Sequence, residues 1–275
     1  MNREPLYIGD SQESGRPIYS RLEAPGIATF GGPGSGKSSL LMRNLLIYPK
    51  SAVVFSDVNA ELASVTAERR KVFGDVFLIN PFNLFGETHL KDIRNIGYNP
   101  MARLNPKARK FGVRASKLAA SIVPKNGRSH EPYFDETAHS LVQSSIMAEA
   151  WKGESPFLPT VAENISGNLQ VYAKDCVSRV KMAAVRARMK RYTDDEEVKS
   201  MRGVIETTRT HVDFLLDTCI AECLTKDDGF SFTQLNKQVV TVYVILPLDV
   251  VGVLGKFFKL ILASCLTELF DQEEE

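Results

Sequence analysis

Residues Gly31 to Ser39 read GGPGSGKSS, a spacing that suits holding phosphate. Gly31-x-x-x-x-Gly36-Lys37-Ser38 meets the P-loop pattern in full. Glycines such as Gly31, Gly32, Gly34 and Gly36 let backbone N–H groups turn inward around a phosphate with no Cβ in the way. Pro33, Ser35 and Ser39 complete the loop. A helix starting at Lys37 would aim its unpaired N–H groups and positive dipole end at the anion. Lys37 would reach the β- and γ-phosphate oxygens, and the Ser38 hydroxyl would ligate Mg²⁺, so ATP and Mg²⁺ are the expected ligands.

Hydrolysis needs an acid at the end of a buried strand. TVYVILP ends in Pro247 and DVFLINP in Asn80 and Pro81, so neither supplies one. AVVFSD ends in Asp57, with Glu61 four residues on. Asp57 has two readings, a helix-capping aspartate and a carboxylate beside the nucleotide. No apolar run followed by Asp-Glu occurs in the 275 residues.

The elements that must position these residues alternate. Strands are expected at Gly26–Phe30, Ser51–Asp57 and Asp75–Phe82, with helices over 37–48 and 60–74. That order gives an α/β domain with a parallel sheet. The first helix would bury Leu40, Leu41, Leu45 and Leu46. Helical periodicity then runs over 107–122, 134–151, 160–190 and 203–224. Phe134, Ala138, Leu141, Val142 and Ile146 share a face of the second of these. In the third, Tyr172, Cys176, Val180, Ala183 and Ala187 form a narrow apolar stripe. A strong strand returns at Gln238–Leu246. Asp249 is then placed to cap a helix over 250–270, apolar almost all round and expected to be well covered.

The net charge of +1 conceals three zones. Residues 101–192 carry 16 Lys+Arg against 7 Asp+Glu, and residues 193–275 carry 7 against 16. The basic middle suggests a module facing an anionic partner. Arg179, Lys181, Arg186, Arg188, Lys190 and Arg191 are candidates for nucleic-acid phosphates, and Lys107, Arg109, Lys110, Arg114 and Lys117 mark a second basic helix. Solvated helix faces are the plainer reading. His89, His130, His139 and His211 show no ligand spacing and read as structural or surface residues. Cys176, Cys219, Cys223 and Cys265 suit reduced thiols on helices. No signal peptide opens the chain, and Pro247 and Asp249 break the longest apolar run short of a membrane span.

The order of features resembles the coupling proteins of type IV secretion and bacterial conjugation, the TraG/TraD-type ATPases. It runs from the P-loop through VVFSDVNAEL, KVFGDVFLINPF, YNPM and PYFDETAHSLVQSSI to VVTVYVILPLDVVGVLGKFFKLIL. The resemblance implies a RecA-like P-loop NTPase interrupted by an all-alpha insertion. On that pattern, residues 1–104 and 201–275 are the two parts of the nucleotide-binding domain, and 105–200 the insertion. It implies a hexameric motor at the cytoplasmic face of the inner membrane, driving DNA or protein into a secretion channel. The insertion would meet DNA or the relaxosome. Where many relatives show Asp-x-Lys-Gly-Glu, this chain reads Asp57-Val58-Asn59-Ala60-Glu61, so roles carry over to Asp57 and Glu61 without the Lys and Gly. The family's transmembrane helices and acidic strand are not in the sequence, which reads as truncated at both ends. Two other readings stand: a different DNA-pumping P-loop ATPase, and a hydrolysis-deficient fragment acting as a binding module.

Overall fold

Β-branched and aromatic residues crowd VTVYVIL, and every one of its seven residues is buried. A strand with no polar face belongs inside a sheet covered on both sides. A computed structural model, which describes residues 5–20, 28–32, 34–123, 132–153 and 156–270, places it there. In chain order the strands are β1 (Tyr7–Asp10), β2 (Pro17–Tyr19), β3 (Ala52–Val58), β4 (Asp75–Ile79), β5 (Arg94–Asn95) and β6 (Val240–Leu246). The helices are α1 (Lys37–Ile47), α2 (Glu61–Arg70), α3 (Phe111–Ile122), α4 (Pro132–Lys152), α5 (Leu158–Ser166) and α6 (Leu169–Arg179). They continue with α7 (Ala183–Met189), α8 (Asp195–Ser200), α9 (Arg202–Val212), α10 (Thr218–Thr225), α11 (Val251–Leu254) and α12 (Lys256–Phe270).

The chain divides into two units. The first comprises residues 1–95 and 234–247. Its sheet has the order β3-β6-β4-β5, every neighbouring pair parallel. β3 and β4 are consecutive in sequence, yet β6 lies between them. Ala60, Ala63 and Ala67 of the β3–α2 segment pack with Val76, Leu78, Tyr243 and Ile245. Asn44 exchanges two hydrogen bonds of 2.9 Å with the Tyr7 backbone, docking the β1–β2 hairpin on α1.

Arg70 is fully buried at the end of α2. Its guanidinium donates to Thr241 Oγ1 (2.8 Å) and to the carbonyls of Leu45 (3.1 Å), Tyr48 and Lys50. One side chain therefore satisfies the carbonyls that end α1 and enter β3, and ties them to β6. Burial lowers its pKa, and the fork of donors keeps the charge hydrogen-bonded.

The second unit comprises residues 96–233 and 248–275. α4 forms its centre and packs against α3, α5, α7 and α9. Ala138, Leu141, Val142 and Ile146 are buried as their spacing requires. The buried Glu149 is paired with Lys152 (3.0 Å) and accepts from Asn164 (3.2 Å).

Several expectations need correction. Ala28–Phe30, the described part of the strand expected at Gly26–Phe30, are in no strand, and Phe30 is almost fully exposed. Three residues without a ladder partner do not hold an extended conformation as sheet. Gly26 and Ile27, like Pro33, His130 and the tail 271–275, lie outside the described residues. α1 buries none of its residues fully, and Leu41 is half exposed. The pattern over 160–190 is three helices. The extended residues Val180 and Met182 break it and reset the phase. Tyr172, Cys176 and Val180 stay buried, but Val185 and Met189 replace Ala183 and Ala187, which face solvent. Val250, not Asp249, caps α11, with no side-chain bond. α12 buries Phe257, Leu260, Ile261 and Cys265, while Leu262, Leu266 and Phe270 are exposed along its other face.

Among the described residues, no helix is long and apolar enough to cross a membrane.

Candidate nucleotide-binding site

Gly34 (φ 75°) and Gly36 (φ 85°) are left-handed, which an L side chain rarely tolerates. A Cβ built on Gly32, Gly34 or Gly36 meets nothing within 4 Å, so the loop leaves open space on that side. At Gly31, by contrast, a Cβ would fall 2.3 Å from Ser35 Oγ. Gly36 is the N-cap of α1, and neither a capping side chain nor an acidic residue neutralises the first turn. The helix end keeps its N–H groups and positive partial charge for an anion.

Lys37 Nζ lies over the loop and donates to Gly31 O and Gly32 O, both at 2.7 Å, and to Ser35 Oγ at 3.3 Å. Ser38, next in the same turn, donates to Glu61 Oε2 at 3.4 Å. Glu61 opens α2, where a carboxylate also favours the helix dipole. Ser39 and Ser35 are exposed on the loop. The open cradle, the uncapped helix end, the ammonium and the hydroxyl–carboxylate pair fit a nucleotide phosphate with its divalent ion.

Asp57 is engaged by the backbone of α2. It is buried, and its two oxygens accept from the Leu62 N–H (2.9 Å) and the Ala63 N–H (2.8 Å). This is helix-capping geometry, reached because Asn59 (φ 60°) and Ala60 (φ 53°) turn the chain left-handed between β3 and α2. Burial raises the Asp57 pKa, the two amides pull it down, and the Glu61 charge adds to the rise. Asp57 thus fixes the start of α2, the helix that carries Glu61.

Arg179, Lys181, Arg186, Arg188, Lys190 and Arg191 are all exposed in the second unit. Arg179 is paired with Asp175 at 2.7 Å. Arg188 donates to Gln143 Oε1 (3.2 Å) and lines an open groove of about 600 Å³ with Arg109 and Lys117. The two basic segments, some 70 residues apart in sequence, therefore share one surface at this groove. Of the histidines, the buried His139 bonds Ser116 O (3.1 Å), His211 pairs with Asp135 (3.6 Å) and His89 packs on Phe85.

No curated protein sequence matches the chain. Among solved structures, it is similar to the bacterial conjugative coupling protein TrwB. An unbound form superposes with a TM-score of 0.56 at 15% identity, over 89% of this chain and 51% of that one. A form in complex with sulphate gives 0.57 at 17%, and one in complex with ADP and Mg²⁺ gives 0.55 at 16%, each over 89% and 52%. At such identity the likeness establishes the fold alone, an α/β arrangement with a parallel sheet flanked by helices, and the chain spans about half the length of those chains. The family described as Type IV secretory system Conjugative DNA transfer matches residues 2–275, and with nearly the whole sequence inside that match the chain belongs to this family.

Proposed function

We propose that this chain is the ATP-binding part of a coupling ATPase that drives DNA, or a protein substrate, into a type IV secretion channel. The observation that carries the reading is the loop itself: left-handed Gly34 and Gly36 deliver Lys37 and Ser38 to an uncapped helix start. ATP and Mg²⁺ are the ligands this arrangement suits, and the related TrwB has been solved with ADP and Mg²⁺. Residues Gly31 to Ser39 would surround the phosphates, with Lys37 on their charged oxygens and Ser38 on the ion. Bound Mg²⁺ supplies charge neutralisation of the phosphates. Glu61 orients the Ser38 hydroxyl, and Asp57 holds the helix that presents Glu61. In the second unit, the exposed basic residues from Arg179 to Arg191 would meet DNA or a relaxosome protein. Family membership supports a homo-hexamer at the cytoplasmic face of a bacterial inner membrane.

Lys37→Ala tests the reading. Titration of a fluorescent ATP analogue should show binding lost in the variant, with far-UV circular dichroism unchanged. Equal binding by the variant and the parent would overturn it.

A further inference from the structure

The open groove of the second unit exposes one long face of α3. Arg109, Gly112, Val113, Ser116, Lys117 and Ala120 line it at helical spacing, and from Gly112 to Ala120 it follows α3 for about 12 Å. His139 and Gln143 of α4 lie between this face and Arg188 of α7. Hydrogen bonds fix the spacing of the two sides. Arg188 donates to Gln143 Oε1 (3.2 Å), and Gln143 Nε2 donates to Gly112 O (3.0 Å). One turn further along α3, His139 Nε2 bonds Ser116 O (3.1 Å). Three cations line the groove, and no carboxylate does. Arg109 and Lys117 are exposed and make no ion pair among the described residues, and the partner of Arg188 is a neutral amide. Val113 stands four residues from each of Arg109 and Lys117 and is 58% exposed. No Phe, Tyr or Trp lines the groove, so it offers a nucleic-acid base nothing to stack on.

We propose that this groove docks an acidic amphipathic helix of a partner protein. Carboxylates of that helix meet Arg109, Lys117 and Arg188, and an aliphatic side chain between them covers Val113. The charge selects an acidic partner, and the exposed valine between two cations favours a protein helix over a phosphate backbone, which has no apolar group to place there. The inference rests on the role proposed for the second unit and names its partner. Its test uses no nucleotide, so a failure of ATP binding and a failure of docking are read separately.

The test is fluorescence anisotropy of a dye-labelled helical peptide, acetyl-EAEEAALAAEEAEA-amide, titrated with the full chain. Its glutamates flank one leucine on a single face. Saturable binding is expected, about tenfold weaker when every glutamate is replaced by glutamine. Serine in place of the leucine should also weaken it. Arg109→Glu with Lys117→Glu, both at exposed positions, should abolish binding and create binding of the peptide with lysine for every glutamate. That exchange of charge places the peptide in the groove and shows that the variant is folded. Lys174→Glu, exposed on α6, should change nothing. No saturation by the acidic peptide, equal binding of the glutamine peptide, unchanged binding in the double variant, or no gain of the lysine peptide there would each overturn the proposal. So would displacement of the labelled peptide by a twelve-nucleotide oligothymidylate at lower concentration than by unlabelled peptide, which would assign the groove to nucleic acid.

Discussion

Ser38 Oγ donates to Glu61 Oε2 at 3.4 Å, joining the first turn of α1 to the first turn of α2. The two helices follow different segments of the chain, so this bond links the phosphate loop to the helix that begins after β3. If Ser38 and Glu61 act together at a divalent ion, Glu61→Gln should weaken nucleotide binding about tenfold in Mg²⁺ and leave binding in EDTA unchanged. Calorimetric titration in both buffers reads the difference. Equal losses in the two would mean that Glu61 only shapes the loop.

Asp57 should prove structural. Asp57→Asn keeps one acceptor but turns an amide N–H₂ toward a backbone donor, and should cost about 1–2 kcal/mol. Urea denaturation of the variant gives that figure. No change in the midpoint would show that its two hydrogen bonds contribute little.

Arg70→Ala should be more damaging. It strands Leu45 O, Tyr48 O, Lys50 O and Thr241 Oγ1 and opens a cavity beside β6. The expected loss is about 3 kcal/mol or more, and Arg70→Lys should recover only part of it, because an ammonium lacks the planar fork. Chemical denaturation of both variants decides.

His211 makes stability depend on pH. Burial, then Lys256, lowers its pKa from the ordinary 6.5, Asp135 pulls it up, and Lys259 adds a smaller lowering. The folded state therefore resists a proton that the unfolded state accepts, and stability should fall as pH drops below about 6.5. His211→Gln should flatten the slope between about pH 7.5 and 5.5 in urea titrations. An unchanged slope would remove His211 as its source.

Arg186→Glu with Arg188→Glu should weaken single-stranded DNA binding about tenfold and lower the salt slope by about 0.7 for each phosphate no longer neutralised. Fluorescence anisotropy across a salt series measures both. Salt-independent weakening would point away from binding through phosphates.

What the sequence determined by itself was local. The spacing of Gly31, Gly36, Lys37 and Ser38 specified the loop, because left-handed glycines and a helix start depend only on neighbours along the chain. The apolar run from Val240 specified a buried strand, and Asp57 already carried its capping reading beside the other. The tertiary structure decided the rest. It placed β6 between β3 and β4, since strand order is set by pairing across nearly 200 residues. It brought Thr241 and three carbonyls around Arg70, which no periodicity marks. It broke one helical pattern at Val180–Met182, where two extended residues shift the phase and exchange Ala183 and Ala187 for Val185 and Met189 in the core. It also set Arg188 beside Arg109 and Lys117. Helical period and capping are encoded over a few residues, whereas the neighbour that satisfies a buried group, or shares a groove, is chosen only when the chain folds back on itself.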